Sequence, residues 1–79
     1  MIPLLEILKG IGVILGMAGA VCVASSSLSV RAGGFMAWIG ANTAWVAVGL
    51  ITEDLYLFSL FGFYLMTAWL GLRVAVRGI

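Results

Sequence analysis

Three long apolar runs separated by short polar stretches occupy most of this chain of 79 residues. They are predicted over residues 7–24, 35–51 and 55–72, and a helix needs about 20 apolar residues to cross the hydrocarbon of a bilayer. Lipid cannot hydrogen-bond to exposed backbone groups, and three strands could not close a barrel, so spanning segments must be helical. We therefore expect an all-α membrane protein with three transmembrane helices in a single domain over residues 1–79.

The composition excludes most soluble functions. Hydrophobic residues make up 65% of the chain and charged residues 9%, which leaves no room for a catalytic domain outside the membrane. The sequence has one cysteine, Cys22, no histidine, no nucleophile-and-base pair, no phosphate-binding glycine loop and no cluster of metal ligands. The net charge of +1 gives no reason to expect a nucleic-acid partner. We expect neither an enzyme, nor a metal site, nor a cofactor.

The distribution of basic residues predicts an orientation. Three spans place the two termini on opposite sides, with Arg31, Arg73 and Arg77 on one side and Lys9 alone on the other. Because cytoplasmic segments are enriched in Lys and Arg, we expect the N-terminus outside and the C-terminus in the cytoplasm. We expect the protein in a prokaryotic inner (cytoplasmic) membrane.

The two connections differ in predicted length. The serines and paired glycines of residues 25–34 are typical of a loop, whereas residues 52–54 form a very short acidic turn. The second and third spans must therefore be antiparallel neighbours. The longer first connection allows the third helix to pack between the first two, although it does not require it.

Small residues recur along the first span. Gly12, Gly16 and Ala20 follow each other at a spacing of four, which predicts a groove where another helix can approach closely. This surface is a candidate for packing within the bundle or across a dimer. The alternative is a pore lining that needs small side chains.

The second span carries the candidate binding residues. Trp38, Asn42, Trp45 and Gly49 share one helical face, with Asn42 near the middle of the span. Two indoles around a hydrogen-bonding amide would suit a flat or sugar-like solute. The structural alternative stays open, because Asn often bonds to a neighbouring helix and Trp fills bundles or marks interfaces.

Several of these residues occur in an order that resembles a known family. An arginine in the first loop, the segment Trp38–Asn42, Tyr56 after a short turn and the ending Gly71-Leu72-Arg73 resemble half of a PnuC-type vitamin transporter. The chain is also similar to the three-helix SemiSWEET proteins, although its first span has no proline. The resemblance implies a third helix between the first two, a dimer around a central path, and facilitated diffusion of a sugar or nicotinamide riboside past Trp38, Asn42 and Trp45.

The leading hypothesis is therefore a homodimeric membrane facilitator for a small polar solute, with the lipid bilayer and a second copy as its partners. One alternative is an accessory or structural subunit of a larger respiratory or photosynthetic complex, in which the small-residue groove would be a docking surface. A weaker alternative is a holin-like pore former.

Overall fold

Three helices and two short connections make up nearly all of the described chain. The computed structural model describes residues 2–78, with α1 at Ile2–Val23, α2 at Leu28–Ile51 and α3 at Leu55–Arg77. Each helix is long and apolar enough to cross a membrane, by length and composition. The predicted all-α class with three candidate transmembrane helices is confirmed.

Helix α2 begins well before the predicted span. The glycine- and serine-containing stretch expected to be a loop is helical from Leu28 onward, and only residues 24–27 connect α1 to α2. Ser27 is the N-cap residue: its backbone is extended, and its side chain accepts a bond from Val30 N at 3.5 Å. Gly33 and Gly34 both continue the helix: Gly34 is buried where a side chain would meet Val23 of α1, whereas Gly33 is exposed and contacts no other helix.

The three helices lie side by side in the order α1, α2, α3. Helix α2 packs against both others, and within residues 2–78 α1 and α3 make no contact. The chain is 20 Å wide and 13 Å thick, and 13 Å exceeds the roughly 4.6 Å across the Cα atoms of one helix, so the helices form one bent layer. The resemblance to SemiSWEET proteins implies the third helix in the middle, and this order is not found here. A four-residue first connection makes α1 and α2 direct neighbours.

Glycines bring α1 and α2 into backbone contact. A Cβ added at Gly34 would lie 2.7 Å from the backbone N of Val23, and one added at Gly19 would lie 2.9 Å from the carbonyl oxygen of Gly34. Real side chains do not tolerate such distances. Close approach through small residues is the usual way in which helices associate in lipid, where no hydrophobic force drives them together.

The connection between α2 and α3 is a tight acidic turn. Glu53 adopts φ 55°, and the N–H of Asp54 donates to the Gly49 carbonyl oxygen at 2.9 Å, which ends α2. Asp54 then caps α3, because its side chain accepts a bond from Leu57 N at 3.1 Å. Immediately beyond the turn, a Cβ added at Gly49 would lie 2.9 Å from Phe58 N, so the two helices touch at their backbones.

Adjacent glycines provide a matched test of the α1–α2 seam. We expect Gly34→Ala to destabilise the fold by about 1–3 kcal/mol, because its methyl group must displace the backbone of α1. Gly33→Ala should instead be neutral or stabilise by up to about 1 kcal/mol, because its Cβ meets nothing and alanine favours the helix. Thermal unfolding in mild detergent, followed by circular dichroism, measures both. Equal stabilities would contradict the backbone contact.

Candidate functional site

A groove of about 470 Å³ runs along one broad face of the helix layer. Helix α2 forms its floor, and α1 and α3 form its two sides because they do not meet above α2. Its volume is within the usual range for small-molecule sites. The lining residues come from all three helices: Gly12, Gly16, Trp38, Ala41, Asn42, Trp45, Phe61, Tyr64 and Thr67.

Asn42 is the polar group at the floor of this groove. Its side chain is 8% exposed, and it forms no hydrogen bond within residues 2–78. Both amide atoms of Asn42 retain some accessible surface. Among the described residues, Arg31 Nε is the only side-chain nitrogen or oxygen that is fully buried without a hydrogen-bond partner. The amide is therefore enclosed by the chain, open to the groove and free to bond there.

Trp38 lies on the same face of α2 as Asn42, but its polar group is already used. The indole Nε1–H donates to the carbonyl oxygen of Gly16 at 3.0 Å, which joins α2 to α1. The ring also fills the notch at Gly19, where an added Cβ would lie 2.5 Å from Trp38 Cδ1. Trp38 thus presents an apolar surface to the groove and supports the helix pair.

Trp45 is the third predicted binding residue and lies on the opposite side of Asn42 from Trp38. Its indole lies against Gly12 of α1, and its ring stacks on Phe61 of α3 with centroids 5.4 Å apart and planes at 19°. Its Nε1–H has no acceptor within the described chain. Trp45 therefore contacts both neighbouring helices and keeps a free donor.

Helix α3 contributes three lining residues that the sequence did not predict as a site: Phe61, Tyr64 and Thr67. The ring of Tyr64 meets Phe61 edge-on with centroids 5.8 Å apart, and the Thr67 hydroxyl donates to the Tyr64 carbonyl oxygen at 2.9 Å. Their spacing of three residues is typical of one helical face. The sequence does not single out this face, because the opposite face of α3 is just as apolar and aromatic.

The small residues predicted for packing divide between two environments. Gly12 is buried against Trp45, and Gly16 lines the groove with Ala41 Cβ 4.0 Å from the position of its added Cβ. Ala20 is exposed, and Gly19 makes the next contact with α2 instead. The contact surface shifts from position 20 to position 19 because a helix has 3.6 residues per turn, so a strict spacing of four drifts away from the neighbour.

The groove contains no charged side chain. Its lining supplies an amide, an indole N–H, a phenol and a hydroxyl, together with aromatic and small apolar surface. The described residues include no group of three or more His, Cys, Asp or Glu side chains that could hold a metal ion. The arrangement can bind an uncharged molecule by stacking and hydrogen bonds, because its polar groups are all uncharged and its remaining surface is aromatic or small.

Comparisons with known proteins found no counterpart: no protein-family model, curated protein or solved structure matches the chain.

The two tryptophans should differ in their effect on stability. We expect Trp38→Phe to cost about 0.5–1.5 kcal/mol more than Trp45→Phe, because only the first change removes an interhelical hydrogen bond. Unfolding by increasing mole fraction of a denaturing detergent measures both variants. Trp69→Phe, on a ring that is 54% exposed, is the control for loss of indole area alone. Equal losses for Trp38 and Trp45 would show that the bond to Gly16 contributes nothing.

Proposed function

We propose that this protein is a homodimeric integral membrane facilitator for a small polar solute, with Trp38, Asn42 and Trp45 at the binding site. The observation that carries the proposal is Asn42: an amide that is 8% exposed, has no partner within residues 2–78 and opens into a groove lined by all three helices. A polar side chain at mid-span is costly in hydrocarbon and is typically found where it meets a partner or a solute.

The single layer of helices supports the dimer. One copy has only one side of a path, because its groove is open along the broad face of the layer. A second copy placed over this face would enclose the solute and remove Asn42 from lipid. Closed two-fold dimers are the commonest assemblies of identical chains.

The same features support passive transport over catalysis. A facilitator needs a site that binds weakly and reversibly, and the groove supplies one amide and a few single donors without any charged group. The described spans carry no carboxylate in this groove to relay a proton, so no ion gradient is coupled to the movement in this proposal.

Asn42→Ala tests the proposal directly. We expect the variant to lose saturable solute uptake in proteoliposomes assayed with a panel of labelled sugars and neutral vitamins, while the dimer persists in cross-linking. Thr43→Ala is the matched control, because Thr43 is the next residue, is exposed outside the groove and bonds to its own helix at Ile39 O, 2.6 Å away. Its uptake should equal that of the unchanged chain.

If Asn42→Ala lost the dimer, and uptake fell only in proportion to the loss of dimer, Asn42 would be a residue that joins helices and would have no binding role.

A second candidate function, an accessory subunit, is favoured by the exposed aromatic side chains of α3, including Tyr56 at 90% and Phe63 at 59%. Native mass spectrometry of protein extracted from its own membranes separates the two. Fixed stoichiometry with larger subunits would replace the facilitator, whereas a mass of two chains would agree with it.

We further propose the inner membrane of a prokaryote, with the C-terminus in the cytoplasm, from the excess of Arg31, Arg73 and Arg77 on that side. A fluorescent protein that folds only in the cytoplasm, fused after residue 79, should therefore be bright, and the same fusion before residue 1 should be dark. The reverse pattern would invert the orientation.

A further inference from the structure

We infer that the groove selects an uncharged planar heteroaromatic molecule that presents a neighbouring hydrogen-bond donor and acceptor to the amide of Asn42. This inference rests on the proposed function and specifies its solute class. A general site for polar solutes would accept both nucleobase-like ring compounds and sugars. The inference predicts that this groove binds the ring compounds and not the sugars.

The first argument is the chemistry of the Asn42 amide. The side chain holds a carbonyl acceptor and an NH₂ donor side by side, and both are unpaired within residues 2–78. The best complement to such a pair is an edge with the same two functions in reverse order. Asn recognises adenine in this way, by two parallel hydrogen bonds to one edge of the base.

The second argument is the shape of the apolar lining. Trp45 and Phe61 stack nearly parallel, at 19°, and Phe61 meets Tyr64 edge-on, so three rings form a continuous aromatic wall. The lining on α1, by contrast, consists of Gly12, against which the Trp45 indole lies, and Gly16, which has no side chain to occupy the groove. Such an arrangement admits a flat ring against aromatic surface, an interaction that every nucleobase can make.

The third argument is the small number of hydrogen-bonding groups. The Trp38 N–H already donates to the Gly16 carbonyl oxygen, and the Thr67 hydroxyl already donates to the Tyr64 carbonyl oxygen. What remains are Asn42, Trp45 Nε1–H and the Tyr64 phenol, with Thr67 Oγ1 as an acceptor. A hexose carries a hydroxyl group on nearly every carbon, so several would lose water without gaining a partner, which is unfavourable in an apolar groove.

Charge is excluded by the same lining. No carboxylate, ammonium or guanidinium group borders the groove, and an unpaired charge transferred from water to apolar surroundings carries a large cost. Glu53 and Asp54 lie in the turn between α2 and α3, and neither they nor Glu6 of α1 line the groove. The solute that fits is therefore neutral at physiological pH.

Equilibrium binding to the full chain in lipid nanodiscs tests the inference, with labelled adenine, cytosine, uracil and glucose as probes. We expect saturable binding of at least one base and none of glucose. If adenine binds, purine, which has the same ring without the amino group, should bind about 5- to 150-fold more weakly, the range that corresponds to one bidentate pair. If none of the three bases binds saturably, or glucose competes with them equally, the inference is wrong.

Matched variants show whether binding uses the groove. Asn42→Leu keeps a similar volume without the amide and should weaken base binding by the same 5- to 150-fold factor, whereas Thr43→Val should not change it. Phe61→Leu should weaken binding, whereas Phe63→Leu, on a ring outside the groove and 59% exposed, should leave it unchanged. Equal effects within either pair would overturn the assignment to this groove.

Uptake into proteoliposomes distinguishes the inference from the proposed function. Uptake of glucose that depends on Asn42, without binding of any base, would keep the facilitator and overturn the solute class. Binding of a base without uptake would keep the solute class and overturn the facilitator. Neither binding nor uptake by a chain whose helices are intact by circular dichroism would overturn both.

Discussion

The fold depends on the close approach of α2 to both of its neighbours, and glycines make this approach possible. Gly34 meets the backbone of Val23 in α1, and Gly49 meets the backbone of Phe58 in α3. In lipid the helices gain little from burying apolar surface, so their association depends on how many atoms come into van der Waals contact. The indoles of Trp38 and Trp45 fill the notches beside α1. The packing of the layer therefore also holds the two rings on either side of Asn42.

A layer with α2 in the middle has a consequence for polar groups. Because α1 and α3 do not meet within residues 2–78, the centre of α2 is covered at its sides and open above. A bundle in which all three helices touched would bury Asn42 and require a partner for it inside the chain. The layer instead leaves the amide enclosed by the chain yet accessible along the groove. The position of the candidate site thus follows directly from the order of the helices.

The sequence predicts the existence of the three helices better than it predicts where they begin and end or which residues they bring into contact. Length and hydropathy were sufficient for three helices, and the contrast of Trp38, Asn42 and Trp45 with their apolar neighbours was sufficient to place them on one face. The sequence does not predict the start of α2, because paired glycines favour a turn in isolation and the contact of Gly34 with α1 cannot be read from the sequence. Phe61 and Tyr64 were missed because α3 is apolar on every side, so periodicity cannot separate groove from lipid.

Asn42 differs from the threonines and from Trp38 in one respect that bears on its role. All three threonines bond to carbonyl oxygens of their own helices, and Trp38 bonds to the carbonyl oxygen of Gly16. The chain therefore satisfies these four groups with main-chain acceptors. Asn42 has two polar atoms, is more than nine-tenths buried and uses no such acceptor. Trp38 shows how a residue that joins two helices of this chain is bonded, and the absence of such a bond at Asn42 supports the proposed contact with a group from outside the chain.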